Sequence, residues 1–184
     1  MDTYRCIRTK LDVREFSRRK VPAEVKLKVL EAARLTGTGN NNQRWRFILV
    51  QSRDGLGQLA KDSTTGKWVA YADFGVVVCT DSTYGRQWQQ GSFHYIDAGR
   101  AVQDMQLAAW NYGVTSCVFT GIDVDHLRQD FHIPMRMNPT IVVGFGYPLK
   151  KITGRMKSRK PIAEIVFLEK YDRHFEPRKL DTHV

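Results

Sequence analysis

From Phe93 to Tyr112 the sequence carries the period of an α-helix with more than one apolar side. Ala98, Val102, Met105, Ala109 and Tyr112 fall at i, i+4, i+7, i+11 and i+14, one continuous apolar stripe. Ile96, Ala101, Leu107 and Ala108 add apolar groups on its other sides. A helix apolar on several faces must be covered on several faces, so this one is expected at the centre of the fold or in a dimer interface. Gly113 stops it.

The other elements are shorter. Val21-Pro22-Ala23-Glu24 reads as a helix start, and Val25, Val29, Ala32 and Ala33 recur at helical spacing up to about Leu35. Thr36 to Arg44 is a loop rich in Gly, Thr and Asn. Strands are predicted at Trp45–Gln51, Gly75–Cys79, Thr115–Phe119 and Thr140–Phe145, and short helices at Leu56–Ala60 and from Asp123 or Asp125 to Phe131. Helices and strands mix without regular βαβ alternation. This points to an α+β fold, a sheet with helices packed around it.

A length of 184 residues fits one domain with its own core. The composition, 42% hydrophobic and 26% charged, is that of an ordinary globular protein, not a disordered one. No apolar run is long enough for a membrane span, and the basic N-terminus leads into no apolar secretory core, so the expected location is the cytoplasm. Cys6, Cys79 and Cys117 form no CxxC pair, and the five histidines show no ligand spacing, so no metal site is expected. HExxH, GxSxG, the P-loop and a helix-opening GxGxxG are all missing. With few candidate catalytic side chains, a cofactor that brings its own chemistry becomes attractive. The net charge of +10 suits nucleic acid or an anionic small molecule, and its basic residues cluster at Arg5–Lys20 and Lys150–Lys160.

Several motifs then recur in a fixed order. Lys10-Leu11-Asp12-Val13-Arg14-Glu15-Phe16 precedes Val21-Pro22, and Gly37-Thr38-Gly39-Asn40-Asn41-Asn42-Gln43-Arg44-Trp45 precedes the first strand. Asp97-Ala98-Gly99, Gly113-Val114-Thr115-Ser116-Cys117, Thr120-Gly121-Ile122-Asp123 and Gly144-Phe145-Gly146-Tyr147-Pro148 follow, then Lys157-Ser158-Arg159-Lys160-Pro161. Together they resemble the flavin-dependent nitroreductase family over nearly the whole chain. Asn41, Gln43 and Trp45 match that family's first loop. Thr38 stands where Ser is usual, Gly37 where the first Pro is usual, and Arg44 where the second Pro is usual.

The resemblance implies a nitroreductase-like α+β fold with a central, mostly antiparallel sheet, built as an intertwined homodimer. One domain would span 1–184, with a tail from about 162 wrapping the partner; Ile162, Ile165, Val166, Phe167 and Leu168 give it apolar surface to bury. It implies FMN as cofactor and NADH or NADPH as electron donor. Lys10, Lys157 and Arg159 would hold the phosphate, gathering the two distant basic runs into one site. Arg14 would reach the ribityl chain or the pyrimidine end of the ring. Asp12 would accept from a ribityl hydroxyl, or orient Lys10 or Arg14. Thr38, Asn41 and Gln43 would line the polar rim. Lys67 would face the pyrimidine edge, and the backbone of Thr120 and Gly121 would face flavin N5.

No side-chain acid or base is obligatory in the implied reaction, a ping-pong hydride transfer to nitroaromatic, quinone or similar small-molecule acceptors. One alternative on the same scaffold is oxygen-dependent fragmentation of FMN, since members of that branch also carry Asp at the position of Asp12. A deiodinase-like lid would need Glu, Tyr and Lys together, and Tyr84 to Phe93 shows no such set. An alternative of another class is a nucleic-acid-binding module with Trp45, Trp68 and Trp88 as stacking platforms. The reading adopted expects neither nucleic acid nor membrane as partner.

Overall fold

The structure is a computed structural model that describes residues 1–81, 83, 93–153 and 157–176. The chain divides into a body, Met1–Thr153, and a C-terminal unit, Gly154–Val184, each described by itself. In the body, α1 (Thr3–Thr9) and α2 (Ala23–Leu35) precede β1 (Trp45–Val50) and α3 (Arg53–Lys61). After β2 (Phe74–Asp81) come α4 (Phe93–Asn111), β3 (Thr115–Phe119), α5 (Val124–Asp130) and β4 (Met137–Gly146). Short 3₁₀ turns occupy Gly39–Asn41 and Lys67–Tyr71.

The strands form one antiparallel sheet in the order β1-β2-β4-β3. Strand side chains alternate between faces, and β2 shows the consequence. Phe74, Val76 and Val78 pack on the side of α2 and α4, whereas Val77 and Cys79 pack on the side of α3 and α5. Both faces are covered, which explains the unbroken run of valines. Phe74 and Phe145 stack across β2 and β4 with ring centres 4.7 Å apart. As the apolar stripe predicts, α4 is central: Ala98, Ala101, Met105 and Ala109 are fully buried.

Element ends differ from the sequence expectation by up to three residues, as in α3 and β2, and three further points have a physical reason. The α1 helix forms in a basic segment with little apolar period. Its hold is tertiary: the Trp110 indole donates to Thr9 Oγ1 at 2.9 Å, and Cys6 is buried. Pro22 is the residue preceding α2 rather than part of its first turn. Strand β4 starts at Met137, not Thr140, and runs through Pro139. The register shifts at that point, between Val78 and Cys79 opposite, and an irregularity of this kind is where a sheet accepts a proline.

The edge of β3 is lined by the chain's own N-terminal segment. Asp12 bridges Ser116 in parallel, and Val13 N donates to the Ser116 carbonyl at 3.0 Å. Farther on, Ser17 N donates to the Tyr147 carbonyl at 2.8 Å, and Leu149 N to that of Glu15 at 2.9 Å. Buried Asp73 fastens the next stretch: it accepts from Val21 N at 3.1 Å and pairs with Lys26 at 2.9 Å and Lys20 at 3.2 Å.

In the C-terminal unit, α6 (Ile162–Ile165) follows Pro161. Ile162, Ile165, Leu168 and Tyr171 are exposed there, while Phe167 stacks on Tyr171. Among the described residues, no helix is long and apolar enough to cross a membrane.

Candidate functional site

The segment paired to β3 carries the first basic motif. Lys10 is buried, and its ammonium lies 2.6 Å from Asp12 Oδ1. Of the roles open to Asp12, orienting Lys10 is the one this contact displays. Gln106, buried on α4, donates to Ser116 Oγ at 3.1 Å and approaches Asp12 Oδ1 at 3.4 Å. Asp12 is thus held from two sides, and through it Lys10. Arg14, two residues further along, is exposed.

The loop before β1 is built on left-handed backbone. Asn40, Asn41 and Gln43 have φ of 50°, 53° and 50°. Asn tolerates that region better than most residues, which accounts for the asparagine run. Thr38 Oγ1 accepts from Gln43 N at 3.1 Å, and the Gln43 amide donates to Asn41 Oδ1 at 3.0 Å. Thr38, Asn41 and Gln43 therefore form one hydrogen-bonded unit. Its anchor is Asp97, near the start of α4, which accepts from Gly39 N at 3.4 Å. Burial raises the Asp97 carboxyl above its ordinary value, with the Gly39 N–H and Arg100 acting in the opposite sense.

Lys67 and the Thr120–Gly121 turn come together through their loops. Thr64 N donates to the Gly121 carbonyl at 2.8 Å, Ser63 bridges Ile122, and Asp123 N donates to the Asp62 carbonyl at 2.7 Å. Glycine suits position 121, because a Cβ there would strike the Thr64 hydroxyl and lie 2.6 Å from that of Thr65, so that both side chains would have to shift. Lys67 is exposed at the start of its 3₁₀ turn, and its ammonium donates to the Lys61 carbonyl at 3.3 Å. Behind this loop, Trp68 packs edge-on to Phe119, ring centres 5.5 Å apart, and near Phe16 at 6.1 Å.

Strand β3 thus gathers the candidate residues of the body. Asp12 and Val13 pair with Ser116 near its start, and the Thr120–Gly121 turn, with the loop before Lys67 bonded to it, follows its end. Thr120 also lines a cavity of about 360 Å³ with Tyr95, Ile122 and Ile141. Lys157 and Arg159 belong to the C-terminal unit; Arg159 is exposed and donates to the Ser158 carbonyl at 2.6 Å.

Gln106, Ser116 and Asp97 were not among the sequence candidates. Gln106 left only a weak signal, a polar side chain directly after Met105 of the apolar stripe, in a helix that also carries Gln103 and Asp104. The tryptophans offer little for nucleic-acid stacking: Trp45 is buried and Trp68 is packed among aromatic side chains. Trp88 lies outside the described residues, as do residues 84–92 of the expected lid segment.

A four-stranded antiparallel sheet flanked by helices defines an α+β fold, and comparison with known proteins makes the class specific. The nitroreductase family model matches residues 7–89 and 65–147. The chain belongs to the nitroreductase family. A protein of Methanothermobacter thermautotrophicus, provisionally named NADH dehydrogenase/NAD(P)H nitroreductase, is 31% identical over 153 residues, 80% of this chain and 78% of its own. A nitroreductase family protein of Clostridium difficile 630 superposes with a TM-score of 0.80 at 27% identity, covering 92% of this chain and 99% of that one. An FMN-dependent nitroreductase of Clostridium difficile R20291 shares the fold, with a TM-score of 0.79 at 19% identity over 90% and 98% of the two chains.

Proposed function

We propose that this chain is an FMN-dependent oxidoreductase. It takes electrons from NADH or NADPH and passes them to nitroaromatic, quinone or similar small acceptors, as a homodimer. The observation that carries this reading is the placement of two features along one strand. The Lys10–Asp12–Arg14 segment is paired to β3, and the Gly121 turn at its end is bonded to the loop bearing Lys67. The donor set suits a flavin mononucleotide: cations for one phosphate, an amide-rich loop for a polar ring edge, and a glycine where side chains would block close approach. The name of the FMN-dependent relative in Clostridium difficile R20291 agrees.

Bound FMN supplies the electron and hydride chemistry itself. The protein's part is to bind, orient and supply charge. Lys10, oriented by Asp12, contributes to the phosphate set, to which the sequence motif adds Lys157 and Arg159. Arg14 serves the ribityl or pyrimidine end. Lys67 supplies positive charge that stabilises an electron-rich ring. Thr38, Asn41 and Gln43, already bonded to one another, present a preorganised polar rim.

The test is direct. Purified protein should be yellow, heat should release FMN and not FAD, and NADH or NADPH oxidation should accelerate when a quinone or nitroaromatic is added. Initial rates should give the parallel lines of ping-pong kinetics, and light scattering about twice the chain mass. Colourless protein that fails to take up added FMN overturns the reading. Irreversible loss of flavin under air, in place of recycling, would favour flavin fragmentation instead.

A further inference from the structure

Arg44 departs from the family's loop pattern, which has proline there, and nothing in the flavin reading uses it. Its guanidinium lies 3.4 Å from Asp81 Oδ2 at the end of β2, and beside it opens a cavity of about 480 Å³. Arg44, Arg46 and Arg136 stand around this cavity, and Ile48, Ile133 and Met137 provide apolar lining. We infer that this cavity binds a small apolar carboxylate, at a site distinct from the residues assigned to FMN.

The charge count favours an anion. Among the described residues of the lining, Asp81 offsets one of the three arginines, and the balance is positive. Arg46 donates to the carbonyls of Trp45 at 2.6 Å and Gln43 at 3.3 Å, contacts that fix its position without neutralising it. Arg136 is exposed and forms no ion pair among the described residues. Guanidinium groups match a carboxylate with two parallel donors, which favours a planar acid over a point-like anion. The apolar lining sets the rest of the ligand: a bare phosphate would leave it in water, whereas a hydrocarbon or aromatic body covers it. The volume falls within the usual range for small-molecule sites. His132, at the rim between α5 and β4, holds φ of 51°, a backbone state that the surrounding structure must maintain.

The inference does not depend on the flavin reading, so it is tested with and without FMN. Calorimetric titration with naphthoate, an aromatic body bearing one carboxylate, should show saturable binding to one site per chain, equally tight whether or not FMN is present. Arg44→Gln and Arg136→Gln should each weaken it by roughly tenfold or more, the scale of one charged hydrogen bond. Naphthylmethanol, with the same body and no charge, should bind at least as poorly as to those variants. Full affinity in both variants overturns the inference, as does equal binding of the alcohol. Competition between naphthoate and FMN also overturns it, by placing the ligand in the cofactor site. Because both arginines are at the surface, loss of folding is not the expected outcome of either change; retention of the melting temperature checks this.

Discussion

Lys10 Nζ sits 2.6 Å from Asp12 Oδ1, two residues along the same segment, so the most buried cation of the first basic motif is partnered within the chain. A phosphate arriving there meets a pair and not a bare ammonium. Asp12→Asn removes the negative member. FMN affinity is expected to rise by about 1 kcal/mol, the scale of one Coulomb contact at about 4 Å in water, or roughly fivefold. Quenching of flavin fluorescence measures it. A loss of affinity would mean that the hold of Asp12 on Lys10, or a bond to a ribityl hydroxyl, outweighs its charge.

On the proposed function the cations divide into two tasks. Arg159→Ala should weaken FMN binding by roughly 1.5–3 kcal/mol and recover most turnover at saturating FMN, because the phosphate is remote from the reacting ring. Lys67→Ala should keep FMN better, lower the flavin potential and slow its reduction by NAD(P)H in stopped flow. Indistinguishable behaviour of the two variants would show the division to be wrong.

Asp73 predicts a pH dependence. Burial pushes its carboxyl up, but hydrogen bonds from Lys26, Val21 N and Lys20, with the Lys26 charge, outweigh this and leave it below the ordinary value. A depressed folded-state value means the stabilisation is full above the unfolded carboxyl's range, about pH 4, and is lost as pH falls below it. Asp73→Asn should therefore melt lower than the parent near neutrality, with the gap narrowing under acid. A gap independent of pH would show that the ion pairs contribute nothing.

Gly121→Ala should destabilise the protein by about 1–3 kcal/mol in urea, since the new methyl meets two threonine hydroxyls across a 2.8 Å backbone hydrogen bond. Adding Thr64→Ala and Thr65→Ala should recover part of the loss, giving a measurable coupling energy. Strict additivity would mean the collision is relieved elsewhere.

Where local pattern coincided with tertiary packing, the sequence was readable. The valines of β2 and the stripe of α4 from Ala98 to Ala109 are buried as their spacing predicts, whereas Tyr112 at the end of the stripe and Ile96 on another side are exposed. The Lys10–Asp12 contact was nearly readable, since residues two apart in extended chain share a side. Other relations were hidden. Helix α1 rests on Trp110, distant in sequence; β4 passes through Pro139 only because its partner shifts register there; the Lys67 loop meets Gly121 through backbone bonds that no side-chain pattern announces. The left-handed torsions of Asn40, Asn41 and Gln43 were hinted at by composition alone.

The pairing of Asp12 with Ser116, and of Phe16 with Pro148, sets an order in time. The segment bearing Lys10 and Arg14 leaves the ribosome about a hundred residues ahead of the partners it lies against, Ser116 and Pro148. Closing a loop of that length is slow relative to the local hairpins. Until then the motif has no fixed geometry to offer a phosphate. If the chain binds FMN as proposed, capture belongs to the folded body, and a polypeptide truncated before β4 should emerge from synthesis without flavin, however complete its first basic motif.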